Sequence, residues 1–209
     1  MSTTDVVRLA GEAGAPTEMV FAAAEPDVIP RAPSQRWVVV PRSDGATTLG
    51  GMDRGRFAVY DTYETDELAA NAVVHVLQPP QTIVVDAAAF AGLQQDAKQL
   101  AATLREHSAN GSPLTPDMIP VGTALDHLGP SSGHCLFLLD TPFSERSAPP
   151  TDLELSRTVF LVRAPLGGAV SVGPVQPWFG QPGGGILVTL ERPVRWYYDT
   201  GVVDVVAPR

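Results

Sequence analysis

The run WFGQPGGGILVTL (Trp178–Leu190) joins two aromatic residues, one amide and three consecutive glycines to a short apolar segment. An apolar run that follows glycines, as GILVTL (Gly185–Leu190) does, is typical of a strand. The three glycines permit positive φ and let backbone N–H groups approach a ligand closely. Beside Pro182, Gln181 is then a positioned amide that both donates and accepts hydrogen bonds. Taken alone, the loop either lines a site or makes a strained turn.

The surrounding residues 117–209 consist of short apolar runs separated by glycine and proline, without a helical period. Such spacing predicts a small sheet or partial barrel with long connecting loops, and loops of this kind usually carry function. The predicted strands are His134–Asp140, Arg157–Pro165, Gly185–Leu190, Val194–Asp199 and Val202–Val206.

The preceding segment is helical in character. A strand is predicted at QTIVVD (Gln81–Asp86), and a long helix at Ala87–His107, where apolar residues recur at three- and four-residue spacings. NGSPLTP (Asn110–Pro116) is dense in turn formers and ends this period, so it is the best candidate for a domain boundary.

Residues 36–77 predict a strand–strand–helix unit. Its strands are Arg36–Pro41 and Arg56–Tyr63, the segment Ser43–Gly51 between them is rich in turn formers, and Thr65 is placed to cap the helix. Before this unit, the spacing of caps and prolines predicts two short helices and an extended linker. These lie at Asp5–Ala10, Glu18–Glu25 and Pro26–Pro33.

Together these elements predict an α+β fold, in which an N-terminal α/β unit with a long helix precedes a small, loop-rich, mainly β domain. We divide the chain into an N-terminal appendage (residues 1–35), an α+β accessory domain (36–112) and the mainly β domain (113–209). The accessory domain is expected either to dock a partner or to shield the loop that carries Gln181.

Composition and net charge limit the classes of function that the chain can have. The 209 residues are 44% apolar and 18% charged, which is typical of a globular protein. The formal net charge is −9, and Lys98 is the only lysine. Because nucleic-acid binding requires a basic surface, we expect no nucleic-acid partner.

Several further classes are not expected. The single cysteine, Cys135, lies in an apolar run and is interpreted as a small buried residue. The four histidines lack metal-ligand spacing, so no metal is expected. No run approaches the length of a membrane span, and no secretory signal is visible. The expected location is cytoplasmic, with export without a cleaved signal as the alternative.

The charged loop DTPFSERSAPPTDLE (Asp140–Glu154) contains Arg146, which the two following prolines hold at a defined place. The loop is either a solvated connection or a clamp. A fixed guanidinium presents a planar fork of donors that suits a pyrophosphate or carboxylate.

Five segments in this order resemble the NAD-glycohydrolase domain of the tuberculosis necrotizing toxin family. The most specific is QPWFGQPGGG. The five segments are IPVGTALDHLG (Ile119–Gly129), SGHCLFL (Ser132–Leu138), TPFSERSAPP (Thr141–Pro150), SRTVFLV (Ser156–Val162) and QPWFGQPGGG (Gln176–Gly185).

The resemblance implies cleavage of the nicotinamide–ribose bond of NAD or NADP, which is then the substrate, with no further cofactor. It implies catalytic roles for Gln181 and Arg146. His127 stands where the family has an arginine, Thr158 where it has a histidine, and Cys135 where it has an aromatic residue. His127 is expected to act as a weaker cation, and Thr158 to keep a hydrogen bond.

The dinucleotide is expected to contact the aromatic and glycine residues of the same loop. These are Trp178, Phe179, Gly183, Gly184 and Gly185. The alternative is a catalytically degenerate relative that binds a nucleotide or a protein, motivated by the three departures. An active glycohydrolase would be toxic to its own cell, so an inhibitory or immunity protein is an expected partner.

Overall fold

The computed structural model describes residues 3–28, 32 and 35–209, and the chain forms two compact units. The first unit comprises Met1–Pro80, Pro130–His134 and Glu191–Trp196. The second comprises Gln81–Gly129, Cys135–Leu190 and Tyr197–Arg209. Both helices and strands are present throughout, so the predicted α+β class is confirmed.

The first unit is a four-stranded sheet with two helices. The sheet has the order β1-β2-β3-β4, in which β1 runs parallel to β2 and the remaining pairs are antiparallel. Its elements are α1 (Thr3–Glu12), β1 (Val20–Ala22), β2 (Arg36–Pro41), β3 (Thr47–Asp53), β4 (Arg56–Tyr63) and α2 (Asp66–Leu77).

The N-terminal residues are part of this unit rather than an appendage. Val6 and Ala10 of α1 are fully buried in the same apolar cluster as Trp37. The helix predicted at Glu18–Glu25 is wrong, because Val20–Ala22 forms a strand that pairs with β2 and gains its hydrogen bonds there. The linker predicted at Pro26–Pro33 lies partly outside the described residues.

The segment predicted as a turn at Ser43–Gly51 is largely strand β3, and every residue of that strand is buried. A Cβ on Gly51 would lie 1.8 Å from the backbone oxygen of Ser132. On Gly50 it would lie 2.5 Å from the ring of Phe57. Gly50 therefore permits close packing against β4 and Gly51 against the backbone at Ser132, a use that composition does not distinguish from a turn.

The second unit is built on a seven-stranded sheet of order β5-β11-β8-β6-β7-β10-β9. Only the β5–β11 pair is parallel within this sheet. Its strands are β5 (Thr82–Val85), β6 (Ala124–Leu128), β7 (Cys135–Leu138), β8 (Arg157–Val162), β9 (Ser171–Pro174), β10 (Ile186–Thr189) and β11 (Val203–Pro208). Its helices are α3 (Ala87–Ala109) and α4 (Phe143–Arg146), while α5 (Val194–Asp199) starts in the first unit and ends in the second.

The long helix α3 forms where the apolar spacing predicts it, but it lies on the C-terminal sheet. Its Phe90 and Ala97 share an apolar cluster with Ala124, Val159 and Val206 of that sheet. Strand β5 also joins this sheet, by pairing with β11. The division at residue 112/113 therefore differs from the structure, which places β5 and α3 in the second unit because their apolar faces are buried there.

One predicted strand is a helix. Val194–Asp199 follows Pro193 and folds as α5, with Val194 and Tyr197 buried at a three-residue spacing. Gly201, at φ 74°, closes its end. Strands β6 and β9 were not predicted as separate elements. Among the described residues, no helix is long and apolar enough to cross a membrane.

Candidate active site

Two consecutive residues of β6, Asp126 and His127, point to opposite sides of the sheet. In the antiparallel register, Asp126 lies opposite Phe137 of β7 and Val159 of β8, whereas His127 lies opposite Thr158. Directly opposed residues point to the same side of a sheet, and neighbours along a strand point to opposite sides. We call the two sides the Asp126 face and the His127 face.

On the Asp126 face, Arg146 is committed to a buried ion pair. Its Nη2 donates to Oδ2 of Asp126 at 2.9 Å, and its Nη1 lies 2.6 Å from Oδ1. Its Nε donates to the backbone oxygen of Thr141 at 2.9 Å, and its guanidinium lies 4.8 Å from the centre of the Phe137 ring. Arg146 is 3% exposed and Asp126 is fully buried, so this arginine holds the loop to the sheet.

The exposed guanidinium on this face belongs to Arg157, which the sequence argument did not single out. Its side chain is 40% exposed, and its Nη1 lies 2.6 Å from Oδ1 of Asp140 and 3.6 Å from Oδ2 of Asp126. The backbone N–H of Asp140 donates to the same Oδ2 at 3.3 Å. Arg157 precedes Thr158 directly, so strand alternation together with the register would have assigned it to the Asp126 face.

The His127 face carries the two other predicted catalytic residues. His127 is 3% exposed, and its Nδ1 lies 2.8 Å from the backbone oxygen of Cys135, with which it shares a hydrogen bond. Thr158 is half-buried beside it in the register. The structure thus brings His127 and Thr158 together, but on the side of the sheet opposite to Arg146.

Gln181 ends a tight turn, and its side chain is bonded to the loop that carries Arg146. Phe179 and Gly180 have φ of 50° and 72°, and the N–H of Gln181 donates to the oxygen of Trp178 at 2.8 Å. Positive φ at both central positions is the pattern of a type I′ turn. Nε2 of Gln181 donates to the backbone oxygen of Ala148 at 2.8 Å. Its Oε1 is buried and accepts no hydrogen bond from any described residue.

The aromatic pair at this turn is exposed. Trp178 is 70% exposed and Phe179 is 47% exposed, and their rings stack 5.2 Å apart at an interplanar angle of 8°. Neither residue therefore belongs to the core. The pair forms an open aromatic surface next to Gln181.

The glycine run packs against the loop that carries Arg146. The N–H groups of Gly183 and Gly185 donate to the backbone oxygens of Ser144 and Glu145, at 3.3 and 2.9 Å. That of Gly184 donates to the oxygen of Val175 at 2.9 Å. The expected contact of these N–H groups with a phosphate thus differs from the structure, in which all three already donate within the protein.

Cys135 is buried, which agrees with its interpretation as a packing residue. Within the described ranges, no group of three or more histidine, cysteine, aspartate or glutamate residues is placed to hold a metal ion.

Comparison with known proteins gives matches to the C-terminal half of the chain. Residues 118–206 match the family model described as Tuberculosis necrotizing toxin. The chain is also similar to the conidial surface nicotinamide adenine dinucleotide glycohydrolase nadA of Aspergillus fumigatus, with 36% identity over 88 residues. That match covers 40% of this chain and 38% of the relative, so the chain spans well under half of the relative's length. The resemblance read from the motifs is confirmed for the C-terminal half.

Proposed function

We propose that the chain hydrolyses NAD or NADP, because residues 118–206 match the tuberculosis necrotizing toxin family and a glycohydrolase is similar to the chain. Water adds to C1′ of the nicotinamide ribose, and the bond from C1′ to the nicotinamide nitrogen breaks. The bonding electron pair leaves with nicotinamide, and the water gives up one proton. The products are nicotinamide, the ADP-ribose or its 2′-phosphate, and a proton.

The observation that carries this proposal is the geometry of Gln181. Its amide is held by Ala148, and its Oε1 is a buried acceptor without a donor among the described residues. Such an acceptor is costly to leave unpaired, so a ligand group is a natural partner. We propose that Oε1 accepts from a hydroxyl of the nicotinamide ribose or from the attacking water. A fixed amide dipole there also stabilises positive charge that develops on the ribose.

The proposed roles of the arginines follow from burial. Arg157 is half-exposed on the Asp126 face, so it is the proposed contact for a phosphate group of the substrate. Arg146 is proposed as a positioning residue, which fixes Asp126 and the loop rather than contacting substrate. The exposed ring of Trp178 is proposed to stack on a base, as flat aromatic rings do at nucleotide sites.

His127 and Thr158 are proposed to act indirectly. They pair with each other in the register of β6 and β8, next to the residues of the Asp126 face. Their packing fixes that register, and the register sets the direction of Asp126 and Arg157.

The test is nicotinamide release by the purified full chain, with NAD and NADP as separate substrates. Gln181→Ala should lower kcat by about 100-fold, the usual effect of removing one such polar group. Gln176→Ala, the same exchange at an exposed position of the same loop, should keep kcat within about twofold. Absence of release by the unaltered chain with both substrates would refute the proposal.

A second candidate is a nucleotide-binding module without turnover. One observation favours it: His127 and Thr158, which stand where the family has an arginine and a histidine, lie on the side of the sheet opposite to Arg146. Titration calorimetry with NAD separates the candidates, because binding without nicotinamide release identifies the module.

We further propose that the chain acts as a toxin and that an inhibitory or immunity protein is its partner. Expression of the full chain in a bacterial host should then arrest growth and deplete cellular NAD, whereas the Gln181→Ala variant should do neither. Normal growth despite active enzyme in the lysate would contradict the toxin type.

A further inference from the structure

A groove of about 610 Å³ lies in the second unit, between α3 and the segment Leu139–Glu145. Its volume is in the range of small-molecule sites. Its α3 wall lies outside the segment 118–206 that matches the family. This wall is a stripe at helical spacing, formed by Ala91, Gln94, Gln95, Lys98, Ala101 and Arg105.

Both ends of the groove are held by polar contacts between its walls. At one end, Nε2 of Gln94 donates to Oδ2 of Asp140 at 2.5 Å. At the other end, Arg105 forms an ion pair with Glu145, and its Nε donates to the backbone oxygen of Gly184 at 3.2 Å. Because Asp140 also pairs with Arg157, both carboxylates of the groove already have cationic partners.

Lys98 lies between these two ends and lines the groove. Its side chain is exposed, and it has no hydrogen bond or ion pair with any residue that the structure describes. It is also the only lysine in a chain of net charge −9. The uncompensated charge of the groove is therefore one cation, which favours an anionic ligand.

The position of Lys98 along α3 indicates which phosphate of a bound dinucleotide it could contact. Lys98 precedes Arg105 by seven residues, which is about 10 Å along a helix. Arg105 is bonded to Gly184, three residues from Gln181, so Lys98 lies farther along the groove from Gln181 than Arg105 does. With the nicotinamide ribose at Gln181, the remote end of the ligand is its adenosine, where NADP carries a 2′-phosphate and NAD does not.

We propose that this groove receives the adenosine end of the dinucleotide, and that Lys98 contacts the 2′-phosphate and makes NADP the preferred substrate. This inference rests on the proposed glycohydrolase function for its orientation. The amides of Gln94 and Gln95 lie on the same wall and are suited to hydrogen bonds with the ribose or the base.

The experiment compares steady-state kinetics with NADP and with NAD. Lys98→Gln should raise KM for NADP by about tenfold, as expected for one charge-assisted contact, with kcat unchanged. KM for NAD should stay within about twofold. Lys98→Arg keeps the charge and should keep most of the preference. Arg56→Gln is the matched control: it changes net charge equally at an exposed site of the first unit and should leave both KM values unchanged.

Binding provides a second readout that does not depend on turnover. Calorimetry with 2′,5′-ADP and 5′-AMP, which differ only by the 2′-phosphate, should show tighter binding of 2′,5′-ADP, and Lys98→Gln should abolish the difference. If nicotinamide is released but Lys98→Gln changes neither KM for NADP nor this difference, the inference is overturned and the proposed function stands. If the Lys98-dependent difference appears without release, the proposed function fails and the phosphate site stands.

Discussion

The two faces of β6 carry different kinds of residue. On the Asp126 face, a buried carboxylate contacts two arginines and a backbone N–H, beside the groove of α3. On the His127 face, an imidazole and a threonine hydroxyl lie among buried apolar residues such as Leu125 and Phe160. A single step along the strand thus separates a buried ion pair, next to the apolar cluster of Ala124 and Val159, from an imidazole and a hydroxyl.

This difference matters because the residues that the family resemblance groups as one catalytic set do not all lie on one side of the sheet. Motif order places Arg146, His127 and Thr158 in one site, since it carries no information on register. The register decides which of them can contact the same substrate atom. We therefore propose that residues of the Asp126 face contact the substrate and that residues of the His127 face support them.

The largest expected effect is on stability, through the buried pair. Arg146→Ala leaves Asp126 charged and unpaired in the interior, and we expect the free energy of unfolding to fall by about 3–5 kcal/mol. Urea unfolding followed by circular dichroism measures this change. An unaltered unfolding midpoint would show that Arg146 is not needed to neutralise Asp126, and its role as a positioning residue would be wrong.

Arg157→Gln is the comparison for this experiment, since it removes the exposed arginine from the same face. An exposed ion pair contributes little, so its free energy of unfolding should fall by less than about 1 kcal/mol. Equal losses of stability in the two variants would remove the distinction between a buried structural arginine and an exposed ligand-contacting one.

The glycine run should give the next largest effect. Gly183 has φ 69°, and an added Cβ would lie 2.5 Å from the backbone oxygen of Val175, whereas Gly184 has φ 91° and open space. Gly184→Ala should cost about 1 kcal/mol for the left-handed backbone. Gly183→Ala should cost about 1–3 kcal/mol more for the overlap. Unfolding midpoints of the two variants give the difference, and equal midpoints would contradict the packing role of Gly183.

The fold was predictable where local patterns act alone. The apolar spacing of α3 and the cap at Thr65, whose side chain accepts from the N–H of Leu68 at 3.3 Å, could be read from sequence. The partner of α3 could not, because an amphipathic stripe shows that a face is buried but not which sheet covers it. For the same reason Val20–Ala22 looked helical, although pairing with β2 makes it a strand.

The exposed loop around Gln181 could be predicted from the sequence, whereas the partners of the charged residues could not. Gln181 and the aromatic pair follow from the unusual composition of one loop, and the structure does place them together. Asp126 neutralises Arg146, and the two residues are twenty positions apart in the sequence. No helical or strand periodicity predicts a contact at that separation. Arg157 was missed because its neighbour Thr158 occupied the matched position.

The division into units also changes how the N-terminal half is to be tested. Removal of residues 1–116 was a natural test of an inhibitory accessory domain, but it would delete β5 and α3, which belong to the second unit. Loss of activity in that variant would follow from loss of the core residues Phe90 and Ala97. Full-chain point variants avoid this confusion.

We expect the smallest change in kinetics from a substitution on the His127 face. Thr158→Val keeps the shape and the β-branched side chain of a strand residue and removes only the hydroxyl. If this face supports the register without contacting substrate, kcat and KM for nicotinamide release should both stay within about twofold, since the variant removes no substrate contact.

The matched variant lies one position earlier in the chain. Arg157→Gln on the Asp126 face should raise KM by about tenfold through loss of a charge-assisted phosphate contact. Adjacent substitutions with opposite outcomes would follow directly from the alternation of side chains along β8. A large fall in kcat for Thr158→Val, with KM unaffected by Arg157→Gln, would place the reacting bond on the His127 face, because kcat responds to groups that act in the transition state.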